Sequence, residues 1–295
     1  MKQNKYIAAG ILALMIAVTG CSDKAKESSA EASTDSIQII KQAQENMQNL
    51  ESYGFTMDMT SDTNMGNAGT MNMIMKTEAE VQAQPQLLMK MESDVTVEVA
   101  GIEPMQTQLT QYVEGSDETV TLYQNANGAW SKMVAIDPET MKSVTGTATM
   151  NCMDYVETVK SVEEDTVGDV PCQKMDVILS AEGISQLLGQ MGDMTASNID
   201  EESLELTQEL LKKSGDIPIT LWIGIEDNQI HRQKIDMSNL MKEALISSMG
   251  EEGAEAIGEQ GPEVTMLLDI TFHSLNEIKE IVIPEEAKAA PELQF

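Results

Sequence analysis

Met71-Asn72-Met73-Ile74-Met75-Lys76 decides the fold. Its methionines recur at every second position, and only an extended strand places residues of period two on one side of the backbone. The same alternation runs through Phe55-Thr56-Met57-Asp58-Met59-Thr60 and through Val95-Thr96-Val97-Glu98-Val99, with Gly, Asn and Asp between the segments. Three such runs describe antiparallel strands with one greasy face and one wet face.

Working outward, further strands are expected at Gln108 to Val113, Thr119 to Tyr123 and Ala129 to Val134, with Asn125-Ala126-Asn127-Gly128 as a turn. Before them, Ile37, Ile40, Ala43, Met47 and Leu50 recur at helical spacing, so a helix is expected from Asp35 to about Leu50. After them, Asp137-Pro138 opens a short helix, and a second is expected over Asn151 to Val159. Strands resume at Val162 to Val167 and Gln173 to Leu179, and Ser180 caps a helix through Leu188. Another helix spans Asp200 to Lys213, with acids in its first turn and Lys212-Lys213 in its last. Ile217 to Glu226 and Gln229 to Met237 read as a hairpin around Asp227-Asn228, followed by a helix from Ser238 to Met249. Val264 to Phe272, a turn near Asn276, and Glu280 to Pro284 complete the pattern.

The N-terminus carries a different signal. Lys2 and Lys5 precede the apolar run Ile7 to Val18, and Thr19-Gly20 place small residues directly before Cys21. This reads as a lipoprotein leader over 1–20, cleaved so that Cys21 becomes the acylated N-terminus. The run is shorter than the roughly 20 residues that span a bilayer. Residues 21–34, rich in Ser, Ala and charged types, form a flexible tether, leaving 35–290 as the folded domain. The expected location is the extracytoplasmic side of the cell membrane, held by the lipid anchor.

Charge narrows the partners. The chain of 295 residues has 49 acidic and 18 basic side chains, a formal net charge of −31. Nucleic acid is excluded as a partner, because binding it requires Lys and Arg to neutralise phosphates. The same charge repels an anionic lipid surface, so the body stands clear of the membrane on its tether. Acidic runs such as Glu201-Glu202 lack a calcium-loop pattern and read as a solvated face. Cys152 and Cys172 are a candidate disulfide closing a loop of about 20 residues, worth about 3 kcal/mol in the chain-entropy model, or else two buried reduced thiols.

The order of leader, tether, helix, strands, helical insertion and Trp-containing hairpin carries several local likenesses. They are Gly128-Ala129-Trp130, Gly168-Asp169-Val170-Pro171-Cys172, Leu221-Trp222-Ile223 leading through Asp227-Asn228 into Ile230-His231-Arg232, and Ile281-Val282-Ile283-Pro284. In these the chain resembles the LolA/LppX-like bacterial lipoproteins and lipoprotein carriers, in particular uncharacterised Met-rich members of that group. The resemblance implies an α+β fold: a strongly curved antiparallel β-sheet, an incomplete barrel, covered by helices and able to hold an acyl chain in its concave face.

The chain has 23 methionines against 3 phenylalanines and 2 tryptophans. Unbranched, polarizable side chains adapt to irregular apolar ligands, so Met57, Met59, Met71, Met73, Met75, Met89 and Met91 are the candidate ligand-binding residues. The same residues would serve as ordinary core beneath helices in a structural or interaction lipoprotein without a ligand. Their thioethers also suit Cu(I), though His231 and His273 lie far from the Met-x-Met runs in sequence. No nucleophile elbow, zinc-binding His pair or phosphate loop accompanies either histidine, so His231 reads as a solvent-facing strand residue, and neither an enzyme nor a resident metal or cofactor is expected.

Overall fold

A computed structural model describes residues 34–66, 69–116, 119–135, 155–181, 183, 201–257 and 261–293. The leader, Cys21, the tether through residue 33, Cys152, the helix expected at Asp137 and most of the one expected after Ser180 lie outside the described residues.

Helix α1 (Thr34–Gln48) leads into six strands joined in sequence: β1 (Ser52–Asn64), β2 (Thr70–Gln82), β3 (Leu88–Val99), β4 (Met105–Gly115), β5 (Val120–Ala126) and β6 (Ala129–Ala135). β7 (Val156–Val167) and β8 (Val170–Leu179) precede helix α2 (Glu201–Ser214). The hairpin β9 (Ile217–Gly224) and β10 (Ile230–Asp236), helix α3 (Ser238–Ile257), β11 (Glu263–His273) and the single turn α4 (Glu285–Lys288) follow. All eleven strands form one antiparallel sheet in the order β6-β5-β4-β3-β2-β1-β11-β10-β9-β8-β7. Among the described residues the sheet does not close, and β6 and β7 are its edges.

Local chemistry explains the turn between β5 and β6. Asn127 and Gly128 both take positive φ (53° and 91°) between β5 and β6, the conformation a two-residue hairpin needs to match strand twist. The Gly128 amide also donates to Asn125 Oδ1 at 2.8 Å.

Two apolar clusters lie on opposite faces of the sheet. The larger joins Ile40, Ala43, Met47 and Leu50 of α1 with Met57, Met59, Met175, Val177, Leu221, Met266 and Leu268 of the strands, and takes in Leu211 of α2. The smaller joins Tyr112 and Tyr123 with Ile281, Ile283 and Ala287, against Leu88, Trp130 and Ile278. Tyr123 donates to Glu114 Oε2 at 2.9 Å, and its phenol is pushed up to about 12, by burial first and by that carboxylate second. Beyond α4 the chain runs beside β6: Lys132 N donates to Pro291 O (3.0 Å) and Leu293 N to Lys132 O (2.9 Å). The tail thereby pairs part of one exposed edge.

Two expected elements differ. The helix expected over Asn151 to Val159 is replaced from Val156 onward by strand β7. Its pairing with β8 shifts register between Val156 and Thr158 and again between Val159 and Ser161. Each bulge adds a residue, so Val156, Val159 and Val162 recur every three positions and imitate a helix period. Glu280 to Pro284 alternates as expected, with Ile281 and Ile283 buried and Val282 exposed, yet joins no ladder. That segment lies across the face of the sheet, so its alternation records which side is covered without implying strand pairing.

Candidate functional site

Register assigns every strand residue to a face. Met75 lies opposite Met59, Met59 opposite Leu268, Leu268 opposite Ile235 and Ile235 opposite Ile219. A neighbouring row runs Leu109, Ser93, Thr77, Met57, Ile270, Gln233, Leu221, Met175. Met71, Met73, Met89 and Met91 share this face, being paired with Thr63, Ser61, Val81 and Ala79. All seven methionines singled out from sequence therefore occupy one side of the sheet.

That side has a second property. Across β1 to β6 and β8 to β11 it carries no Asp, Glu, Lys or Arg in the register of these pairings. Its polar residues include hydroxyls and amides, of which Ser61, Thr63, Thr77, Ser93, Gln111 and Gln233 are buried, while Thr107, Gln124, Ser131 and Gln173 are half-buried. Thr77 and Ser93 satisfy each other, Oγ1 to Oγ, at 2.8 Å.

Cover over this apolar face is uneven. Met57 (7 % exposed), Met59 (2 %) and their neighbours on β8 to β11 are closed over, with α1 packed on β7 and β10, and α3 on β11. Met71, Met73, Met75, Met89 and Met91 are half-buried, as are Val95, Val97 and Val99, and Met105 at the strand end is 56 % exposed. The half-buried methionines thus concentrate on β2 and β3. A separate cavity of about 50 Å³ lies where α2 meets β9 and β10 meets α3, lined by Ser214, Asp216, Ile217, Asp236, Ser238 and Leu240 among others. It is far smaller than the roughly 300 Å³ of small-molecule pockets.

The other face holds the charges. Arg232 grips Asp269 through Nε (2.7 Å) and Nη2 (2.6 Å), Lys234 adds a contact at 3.3 Å, and the Arg232 guanidinium lies 4.8 Å from the Trp222 ring centre. Trp222 Nε1 donates to Asp165 Oδ2 at 2.8 Å. Burial pushes the Asp269 carboxyl up, but Arg232 and Lys234 outweigh it and hold the group below the usual carboxylate range. The Asp176 carboxyl is held low by hydrogen bonds from Thr220 Oγ1 and Ser161 Oγ, each 2.7 Å. These carboxylates are each held by a cation, an indole N–H or a hydroxyl, and the Arg232 and Asp269 side chains are half-buried.

The histidines are placed differently from expectation. His231 is buried, with Nε2 2.9 Å from Asp227 Oδ2, correcting the solvent-facing reading. Gly224 makes this possible, because a Cβ there would overlap the Asp227 carboxylate and press on the ring. The Asp227-Asn228 turn is also tied to α1, as Asn46 Nδ2 donates to Asn228 O at 2.9 Å. His273 Nδ1 lies 3.1 Å from Ser274 Oγ. Cys172 is fully buried and bonded to no cysteine among the described residues, and burial raises its thiol pKa; its expected partner Cys152 lies outside the described residues.

Sequence reading missed the amides inside the apolar layer. Gln233 is 1 % exposed and its Nε2 has no partner, and Gln44 on α1 is 5 % exposed with an unpartnered Oε1. The available signal was Gln233's position, two residues before Ile235 and hence on the apolar side of β10.

Comparison with known proteins adds little detail. No curated protein matches the chain. A crystal structure of a DUF1329 family protein from Desulfovibrio piger aligns over 87 % of this chain and 97 % of that one, at 6 % identity and a TM-score of 0.23, too low to bear on fold or function. A family model matches residues 35–292, nearly the whole span from α1 to the C-terminal tail. The chain belongs to DUF6612, a family of unknown function.

Proposed function

We propose that this chain is a membrane-anchored extracytoplasmic lipoprotein that binds or shuttles a lipid or other acyl-chain ligand on the apolar face of its sheet. The observation that carries this reading is charge segregation. A chain of 67 charged residues keeps Asp, Glu, Lys and Arg off one face of ten strands, and part of that face, on β2 and β3, is half-buried methionine.

An acyl chain laid on this surface leaves water for apolar contacts, gaining about 0.8 kcal/mol per buried CH₂. Methionine side chains adapt to the ligand without a fixed template. The face is then a curved, LolA/LppX-like trough, with the methionines of β2 and β3 as its open part. The leader over 1–20 directs the chain to the extracytoplasmic side, acylated Cys21 supplies the anchor, and the chain does no chemistry of its own.

Native mass spectrometry of the body from Ser22 onward, purified from its own host, tests this reading. A stoichiometric lipid that extracts into organic solvent is expected. A ligand-free mass that persists after incubation with host lipid extract contradicts the reading and leaves the face as a packing surface.

A further inference from the structure

We infer that the end of the sheet formed by the turns after β1, β3 and β5 docks on a bilayer of zwitterionic lipid, with Ile102 and Met105 entering the lipid, and that the ligand crosses there onto the methionine face. The inference rests on the proposed anchored, lipid-binding reading and adds where the ligand enters.

Strands β1 to β6 follow one another through the sheet, so every second turn falls at the same end. Three meet there: the turn after Asn64, the turn from Ala100 to Pro104, and Asn127-Gly128. Ala100 N donates to Thr70 O (3.0 Å) and Ile102 N to Val99 O (3.0 Å), which fixes the middle turn against β2 and β3. Ile102 is 61 % and Met105 56 % exposed, the two most exposed large apolar side chains of the strands and their turns among the described residues. They continue the ligand face: Met105 pairs with Val97 and Val97 with Met73, both half-buried.

Charge points the same way. Around these turns, residues 61–66, 69–72, 96–108 and 124–131 hold three acids, Asp62, Glu98 and Glu103, and no Lys or Arg. Register puts Asp62 and Glu98 on the opposite face, which leaves Glu103 at the tip. Glu263, which accepts from Asn64 Nδ2 at 3.4 Å, marks the charged border of the patch. The far end of the sheet carries Glu114, Asp165, Asp169, Glu226 and Asp227. In a chain of net charge −31, the apolar tip meets a lipid surface with the least repulsion, and with no cation it favours zwitterionic over anionic lipid.

The anchor makes a bilayer the nearest partner. Asn46 in the last turn of α1 is held at the far end of the sheet by Asn228 O, and the tether joins at Thr34, about 18 Å away along the helix. Thirteen residues, 21–33, reach about 20 Å as a polar coil, which keeps the body beside the lipid that holds Cys21.

The mature acylated chain on vesicles of phosphatidylcholine brominated along its acyl chains tests this. Tryptophan is placed at Ile102 or, as control, at Ile225, which is 47 % exposed beside the turn between β9 and β10 at the far end. Ile102→Trp is expected to lose about half or more of the emission it adds over Trp130 and Trp222, and Ile225→Trp to lose none. Ile102→Glu is expected to take up monooleoylglycerol from vesicles at least about 10-fold more slowly, yet to bind it from cyclodextrin as the wild type does. No quenching at Ile102, or equal quenching at both positions, overturns the docking. Wild-type uptake by Ile102→Glu overturns the entry route. Binding from cyclodextrin without quenching at Ile102 overturns the inference and keeps the lipid-binding reading. Binding from neither source removes that reading and the entry route with it.

Discussion

Met73→Asp abolishes ligand binding and leaves the fold standing. Met73 lies on β2 opposite Ser61 and Val97, half-buried at the centre of the methionine group. A carboxylate there faces solvent enough to stay hydrated in the free protein, so the substitution is tolerated. A ligand that covers it must strip that water with no cation on the face to compensate. Affinity for an acyl-chain ligand is expected to fall at least about 100-fold, equivalent to about 2.7 kcal/mol. Circular dichroism and urea unfolding of the free variant should stay close to wild type. Met59→Asp is the contrasting control: Met59 is 2 % exposed in the main cluster, and a charge there prevents folding. If Met73→Asp binds acyl chains as the wild type does, the methionine face is not the site.

Ending the chain after Glu277 destabilises the whole sheet. The residues removed include Ile278, Ile281, Ile283 and Ala287, which complete the second cluster against Leu88, Tyr112, Tyr123 and Trp130. Burial of Ile281 and Ile283 alone contributes about 3–6 kcal/mol, a large share of the roughly 5–15 kcal/mol that holds a typical domain folded. The same cut strips residues 291–293 from β6 and leaves that edge open to intermolecular pairing. A urea midpoint lowered by a third or more, with concentration-dependent aggregation, is expected. An unchanged midpoint would mean that the second cluster is ornamental to the fold.

The strands were legible because alternation is a direct record of a sheet with unlike faces. Met71 to Lys76 and Val95 to Val99 follow it without interruption, and register places their methionines and valines on one side. The record failed where geometry altered the period. Two bulges in β7 turned a strand into a three-residue repeat, and Glu280 to Pro284 kept the alternation without a ladder.

Of the candidate site, the methionine list was readable and its uneven cover was not. Met57 and Met73 have the same local pattern, yet one is closed over and the other half-buried, because cover depends on where α1 and α3 come to rest. The absence of Asp, Glu, Lys and Arg from one face of ten strands also emerged only once register joined segments distant in sequence. His231 shows the same limit: its burial depends on Gly224 and Asp227 across the hairpin, and the strand pattern around it gives no hint of them.

Methionine oxidation by dilute peroxide, read residue by residue by mass spectrometry with and without a bound acyl-chain ligand, tests the central claim most directly. Sulfoxide formation follows exposure of the thioether. Without ligand, Met71, Met73, Met75, Met89 and Met91 should oxidise faster than the closed-over Met57, Met59, Met175 and Met266, with free methionine as the internal reference. Bound ligand should slow the first group several-fold together and leave the reference unchanged. Equal rates with and without a ligand that demonstrably binds would place it elsewhere and contradict the account.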